Sequence, residues 1–253
     1  MKSISETIER IGNITSSGIY ALTTEGKVKG TPGKPFVSYI EECNMERKLG
    51  RSLEGESDAR PLVWGKTLEE YAFGVLGLEY KLCSQETLAH PDISYWFGSP
   101  DGLKFDEGTT VIDIKCPITL KSFCQLVDPL YDGLSGMEAM NFIRAEHKDG
   151  EKYYWQLVSN SIITGAKFAE LIVFVPYKSE LNAIRELVKN YDGDQQPLQW
   201  IYYAEDNKLP HLIDGGYYEN INILRFEVPE YDKDRLTERV KLAGEMLIPF
   251  KTL

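Results

Sequence analysis

The sequence predicts an α/β fold in which a central mixed β-sheet is flanked by helices. Two apolar strands within a largely helical pattern predict it. Val111-Ile112-Asp113-Ile114-Lys115-Cys116-Pro117 alternates polar and apolar residues before Pro117 ends it. Leu171–Val175 is a continuous apolar run bounded by Pro176, as a strand buried on both faces requires. Strands alternating with amphipathic helices form layered α/β structures.

In chain order, residues 2–11 read as a short helix. Thr15-Ser16-Ser17 reads as the N-cap of a second helix, Gly18–Leu22. A turn-rich loop from Gly26 to Gly33 leads into a helix over Phe36–Lys48, and Gly50 to Arg60 is polar loop. Leu62–Leu78 has helical period through Trp64, Leu68, Ala72 and Val75, with Glu69 one turn beyond Gly65. Residues 93–116 read as strands joined by the turn Asp106-Glu107-Gly108. Val127–Gly150 reads as irregular apart from a helix at Met137–Ala145, and Tyr153–Thr164 as a helix ended by Gly165. Ser179–Lys189 is expected to be a helix, Trp200–Tyr203 and Ile223–Val228 strands, and Asp232–Met246 a closing helix.

The 253 residues suit a single domain, 1–253, with 42% hydrophobic content to fill its core. No apolar run approaches the roughly 20 residues needed to cross a bilayer, so no membrane partner is expected. Four scattered cysteines without a CxxC pair, and three histidines without H-x-x-x-H, exclude a Cys/His zinc pattern and fit a reducing cytoplasm. The net charge of −11 weighs against a nucleic-acid partner, but it is unevenly spread. Residues 1–60 are neutral, with nine Lys/Arg and nine Asp/Glu. Residues 191–234 carry ten acids against Lys208, Arg225 and Lys233.

Side chains alternate across a strand, so Asp113 and Lys115 share one face while Ile112 and Ile114 bury on the other. Asp101 sits upstream in the turn Ser99-Pro100-Asp101-Gly102. Alone, Asp-x-Lys is a common solvated pair on an edge strand, and Pro-Asp-Gly an ordinary turn. Together, two acids and a lysine on rigid β-structure suit phosphodiester hydrolysis. Mg²⁺, or Mn²⁺ in its place, prefers oxygen ligands. Asp101 and Asp113 supply carboxylates and Ile114 a backbone carbonyl, while Lys115 would orient the attacking water or stabilise the transition state.

At this point the chain resembles the PD-(D/E)xK nucleases, and more closely the phage lambda exonuclease and YqaJ-type viral recombinase branch. Arg10-Ile11-Gly12-Asn13-Ile14-Thr15-Ser16-Ser17 is similar to that branch's opening motif, and Trp64-Gly65-Lys66-Thr67-Leu68-Glu69 to its W-G-K-x-x-E helix. Ser99-Pro100-Asp101-Gly102-Leu103, Ile114-Lys115-Cys116-Pro117 and Tyr153-Tyr154-Trp155-Gln156-Leu157 resemble three further motifs. The resemblance covers residues 8–178 and leaves the C-terminal third, including 195–250, to complete or decorate the core. It implies a restriction-endonuclease-like core and a Mg²⁺-dependent 5′→3′ double-strand DNA exonuclease of phage or prophage recombination, acting in the bacterial cytoplasm. It also implies that Glu69 adds a metal ligand and that Gln156 contacts the lysine or DNA. Arg10, with Ser16 and Ser17, would receive the 5′-phosphate of a double-stranded DNA end. A homotrimeric ring and a single-strand annealing protein as partner are further implications.

Two features depart from that pattern: Asp113 stands where that branch usually carries Glu, though the superfamily pattern permits either acid, and residues 126–151 separate the lysine strand from the Gln156 helix. A structure-specific or restriction-like endonuclease is the alternative activity. A non-catalytic DNA-binding protein retaining the fold is the alternative class.

Overall fold

Residues 10–53, 59–83, 87–106, 108–192 and 195–250 are described by the computed structural model of the chain. The strands are β1 (Ile14–Thr15), β2 (Tyr80–Leu82), β3 (Leu88–Ala89), β4 (Trp96–Gly98), β5 (Gly102–Asp106), β6 (Gly108–Lys115), β7 (Phe168–Phe174) and β8 (Ile221–Glu227). The helices are α1 (Lys34–Leu49), α2 (Arg60–Val75), α3 (Leu120–Tyr131), α4 (Gly136–Glu146), α5 (Gly150–Thr164), α6 (Leu181–Lys189), α7 (Gln199–Tyr203) and α8 (Glu230–Met246). The helix expected at 2–11 lies outside the described residues except for its last two, and Glu107 of the expected hairpin turn also lies outside them.

Five strands form the main sheet in the order β2-β5-β6-β7-β8, so β6 is its centre. β6 and β7 are parallel and every other pair is antiparallel. The sheet is therefore mixed, as expected. A parallel pair needs a crossover, and α3, α4 and α5 supply it between β6 and β7. The second sheet, β1-β4-β3, ties the N-terminal motif to the segment before Asp101 through the parallel pair Ile14↔Trp96.

Period-two alternation sorts the sheet into two cores. Val111, Ala169, Leu171, Val173, Leu224 and Phe226 pack with α3, α4, α5 and α8. Ile112, Ile114, Cys116, Ile172 and Phe174 pack against Trp64 and Leu68 of α2, Ile184 of α6 and Ile201 of α7. Asp113 and Lys115 consequently face the α5 layer, and Cys116 fills the other face beside Ile112 and Ile114, both as anticipated.

Two expected elements are corrected. Trp200–Tyr203 belongs to a short helix, not a strand. The turn Gln196–Leu198, with Pro197 at its start, leads into it, and Ile201 buries while Trp200 packs 6.1 Å from Trp64 between ring centroids. The start of the segment read as irregular is α3, whose Phe123, Leu126, Val127 and Leu130 repeat at helical spacing. Pro129 falls in its last turn, so the bond it removes is near the helix end, and the Thr119 hydroxyl caps the start by accepting the Ser122 amide at 3.2 Å. The remaining helices fall where expected to within a few residues. α5 ends at Gly165 in the left-handed region (φ +68°), a conformation that favours glycine. Among the described residues, no helix is long and apolar enough to cross a membrane.

Candidate active site

β5 and β6 place the acids. The Asp101 amide donates to the Ile112 carbonyl at 3.1 Å, and the Asp101 carboxylate (Oδ2) accepts the Ile114 amide at 2.6 Å. The turn before β5 is thereby fastened to the very strand that carries the other acid. Asp113 is 1% exposed; its Oδ1 accepts a hydrogen bond from Gln156 Nε2 of α5 at 2.8 Å. Its Oδ2 lies 2.7 Å from Lys115 Nζ as an ion pair, but this buried oxygen has no aligned hydrogen bond. The support that Gln156 lends to Lys115 therefore runs through the carboxylate they share.

Glu69, half-buried on α2, adds its field from the opposite layer. Burial, then Asp113, then Glu69 push the Asp101 carboxyl well above the ordinary carboxylate range; Lys115 and the Ile114 amide offset part of this. Burial acts against the Lys115 charge, yet Asp113 and Asp101 outweigh it and hold the ammonium protonated above its usual range. Burial and then Glu69 push the Cys116 thiol up, which fits an inert filler.

Whether these residues suit a cation can be judged from their chemistry. Among the described residues, no three His, Cys, Asp or Glu side chains stand grouped closely enough to hold a metal ion. The donors of Asp101, Asp113 and Glu69 are oxygens, the type that a hard divalent ion prefers. The Asp101 carboxyl is pushed up by burial and then by Asp113 and Glu69, while Asp113 Oδ2 pairs with Lys115 at 2.7 Å. A cation would offset the repulsion that Asp113 and Glu69 exert on Asp101, which Lys115 already offsets in part.

The N-terminal motif forms a separate cluster. Arg10 Nη2 donates to Ser17 Oγ at 3.0 Å, and Ser17 Oγ lies 3.1 Å from Thr15 Oγ1. Ser16 is not with them: its buried hydroxyl lies 2.8 Å from Ser159 Oγ, which also accepts from Trp96 Nε1 at 2.9 Å. This polar seam passes Gly98, where an added Cβ would stand 2.4 Å from Asn160 Oδ1 and 2.6 Å from Ser16 Oγ, so only glycine lets β4 approach α5.

A cleft of about 590 Å³ opens between the starts of α3 and α5, lined among others by Tyr20, Thr119, Lys121, Gln125, His147 and Lys148. His147 stacks on Tyr153 at 5.6 Å between ring centroids, and the Tyr153 ring lies 5.0 Å from Lys115 Nζ. The cleft is thus joined to Lys115 through the His147 and Tyr153 rings. Tyr153 reads from sequence as a packing residue; its place three residues before Gln156, on the same helical face, was the signal for this second role.

No protein-family model matches the chain, and no curated protein matches it. Solved structures do. LHK-Exo in complex with dAMP superposes with a TM-score of 0.58 at 16% identity, over 96% of this chain and 91% of that one. The alkaline exonuclease LHK-Exo from Laribacter hongkongensis gives the same values. A phage-related exonuclease from Haemophilus somnus 129PT gives a TM-score of 0.55 at 15% identity, over 92% of both chains. The chain thus has the fold of these exonucleases, in agreement with the resemblance of its five motifs to the lambda exonuclease and YqaJ branch of the PD-(D/E)xK nucleases.

Proposed function

We propose that the chain is a Mg²⁺-dependent DNA exonuclease that degrades one strand of a duplex from its 5′ end, hydrolysing phosphodiester bonds. The observation that carries this reading is the junction of Asp101, Asp113, Lys115 and Gln156 across two adjacent strands and one helix. Its support from outside is a fold shared with proteins described as exonucleases.

Asp101, Asp113, Glu69 and the Ile114 carbonyl would hold the metal. When bound, Mg²⁺ supplies charge neutralisation and lowers the pKa of a coordinated water. Lys115, kept charged by Asp113, holds the attacking water or the developing charge on the phosphoryl oxygens. Gln156 fixes the Asp113 carboxylate, and Tyr153 limits where the ammonium can swing. Water attacks phosphorus and the P–O3′ bond breaks. The released nucleotide carries a 3′-hydroxyl, and the shortened strand begins with a new 5′-phosphate. Arg10 and Ser17 are the groups suited to receive that phosphate. Lys121 and Lys148 at the cleft suit the backbone of the same DNA.

The homotrimer, the annealing partner and action in the bacterial cytoplasm belong to this proposal as implications of the family resemblance. A monomeric mass in solution would remove the first.

The test compares four substrates with Mg²⁺ or EDTA: linear duplex with 5′-phosphate, linear duplex without it, closed circular duplex and single strands. Cleavage of the phosphorylated linear duplex, abolished by EDTA and absent on the circle, is expected. Cutting of the circle would instead establish an endonuclease. DNA binding without cleavage of any substrate would establish a non-catalytic protein.

A further inference from the structure

We propose that Arg47 is a positioning residue for the Arg10–Ser17 cluster, and that the C-terminal segment 247–250 acts through it on the recognition of DNA ends. The inference rests on the reading of Arg10 and Ser17 as the receiver of the 5′-phosphate.

Four residues on one face of α1, at the 3–4 spacing of helical neighbours, grip the loop that carries the cluster. Tyr39 Oη accepts the Thr15 amide at 2.9 Å. Cys43 Sγ lies 3.7 Å from the Asn13 carbonyl. Glu46 Oε2 accepts the Gly12 amide at 2.8 Å. Arg47 holds the loop at two points: its Nε donates to the Gly12 carbonyl at 2.6 Å and its Nη2 to Asn13 Oδ1 at 2.9 Å. Gly12 has φ +64°, and a Cβ there would stand 2.5 Å from Arg47 Cγ, so the loop is built around this side chain. Arg10 is part of the same turn, closed by the Asn13 amide bonding to the Arg10 carbonyl at 3.2 Å.

The other end of Arg47 faces the C-terminus. Nη1 donates to the Ile248 carbonyl at 2.7 Å, and the Phe250 ring covers the guanidinium with its centroid 4.4 Å from Cζ. Asn44, one turn earlier, bonds the Met246 carbonyl at 3.0 Å and the Ile248 amide at 2.9 Å. One guanidinium thus joins the loop of Arg10 to the last described residues of the chain, more than two hundred positions away. A charge-assisted hydrogen bond to phosphate depends steeply on donor placement. Whatever fixes the Arg10 turn therefore sets how strongly a 5′-phosphate is preferred.

The experiment measures kcat/KM on linear duplex with a 5′-phosphate and with a 5′-hydroxyl, and takes the ratio. A general loss of fold lowers both and leaves the ratio in place, whereas misplacing Arg10 lowers the ratio. Arg10→Gln should reduce it most. Arg47→Gln should reduce it about tenfold, mainly through KM for the phosphorylated end, with Arg47→Lys intermediate because lysine lacks the fork. Phe250→Ala, at a half-exposed ring, should give a smaller reduction, and it decides the matter if Arg47→Gln does not fold. A lowered ratio in Arg10→Gln with unchanged ratios in Arg47→Gln and Phe250→Ala would overturn the proposal alone. An unchanged ratio in Arg10→Gln would overturn the phosphate reading, and this proposal with it.

Discussion

Asp113 and Glu170 are two carboxylates on neighbouring strands of one sheet, each 1% exposed, facing opposite layers. Glu170 is saturated: Tyr80 Oη donates to one oxygen at 3.0 Å, while Lys104 and Arg225 stand 3.6 and 3.7 Å from the other. Asp113 shares one lysine with Asp101, on which Glu69 also acts, and its other oxygen takes the Gln156 amide at 2.8 Å. Glu170 has two cations and a hydroxyl about it, and Asp113 has one cation, one amide and a neighbouring acid, Asp101. Acids that repel one another cluster at functional sites more than acids held by cations alone.

The largest effects should separate these two acids. Lys115→Ala is expected to lower kcat about 10²–10⁴-fold, the range for losing a catalytic proton carrier or charge stabiliser. It should also lower Tm, because Asp113 is then left without its ion-pair partner. Full residual cleavage in a folded variant would remove Lys115 from the mechanism. Glu170→Gln should cost about 1.5–3 kcal/mol of stability, the range for hydrogen bonds to charged groups, and leave kcat on saturating DNA intact. A loss of cleavage at unchanged Tm would show that the two acids are not as different as their partners indicate.

Asp101→Asn should move stability the other way. Asp101 titrates higher in the folded chain than in the unfolded one, so its contribution is greatest in acid and declines as pH rises through the folded value. Removing the charge should raise Tm at neutral pH, by about 2–4 °C for each kcal/mol of repulsion relieved, while abolishing Mg²⁺-dependent cleavage. The gain should disappear in acid; thermal melts across pH check it, and a pH-independent gain would assign the effect to packing. The smallest effect concerns the cleft. Lys121→Gln with Lys148→Gln should flatten the salt dependence of DNA binding by about 0.9 in log–log slope for each phosphate that is no longer neutralised. An unchanged slope would place the DNA elsewhere.

Much of the site was legible because its rules are local. Alternation along β6 put Asp113 and Lys115 on one face, and Gly165 marked the end of the helix that carries Gln156. Errors arose where local signals conflict. Trp200–Tyr203 is too short for periodicity to separate helix from strand, and packing against α2 and α6 decided it. Pro129 advertised a break, but burial of Phe123, Leu126 and Val127 holds α3 together through it. Ser16 and Ser17 are adjacent and chemically alike. Only the pairing of β1 with β4, and the nearness of α5, turned the first inward to Ser159 and left the second beside Arg10.

The sequence by itself determined the layered α/β fold, the acid and lysine of β6, and the order of the five motifs. Each depends on residue type and on spacing within one element. The tertiary structure decided which partner each charge has. It placed Gln156 on Asp113, set Glu69 and Asp101 against one another, and joined Arg47 to both ends of the chain. Those interactions bridge residues from 32 (Glu69 to Asp101) to 201 positions apart, and charge interactions over such separations depend on packing, which no local pattern encodes.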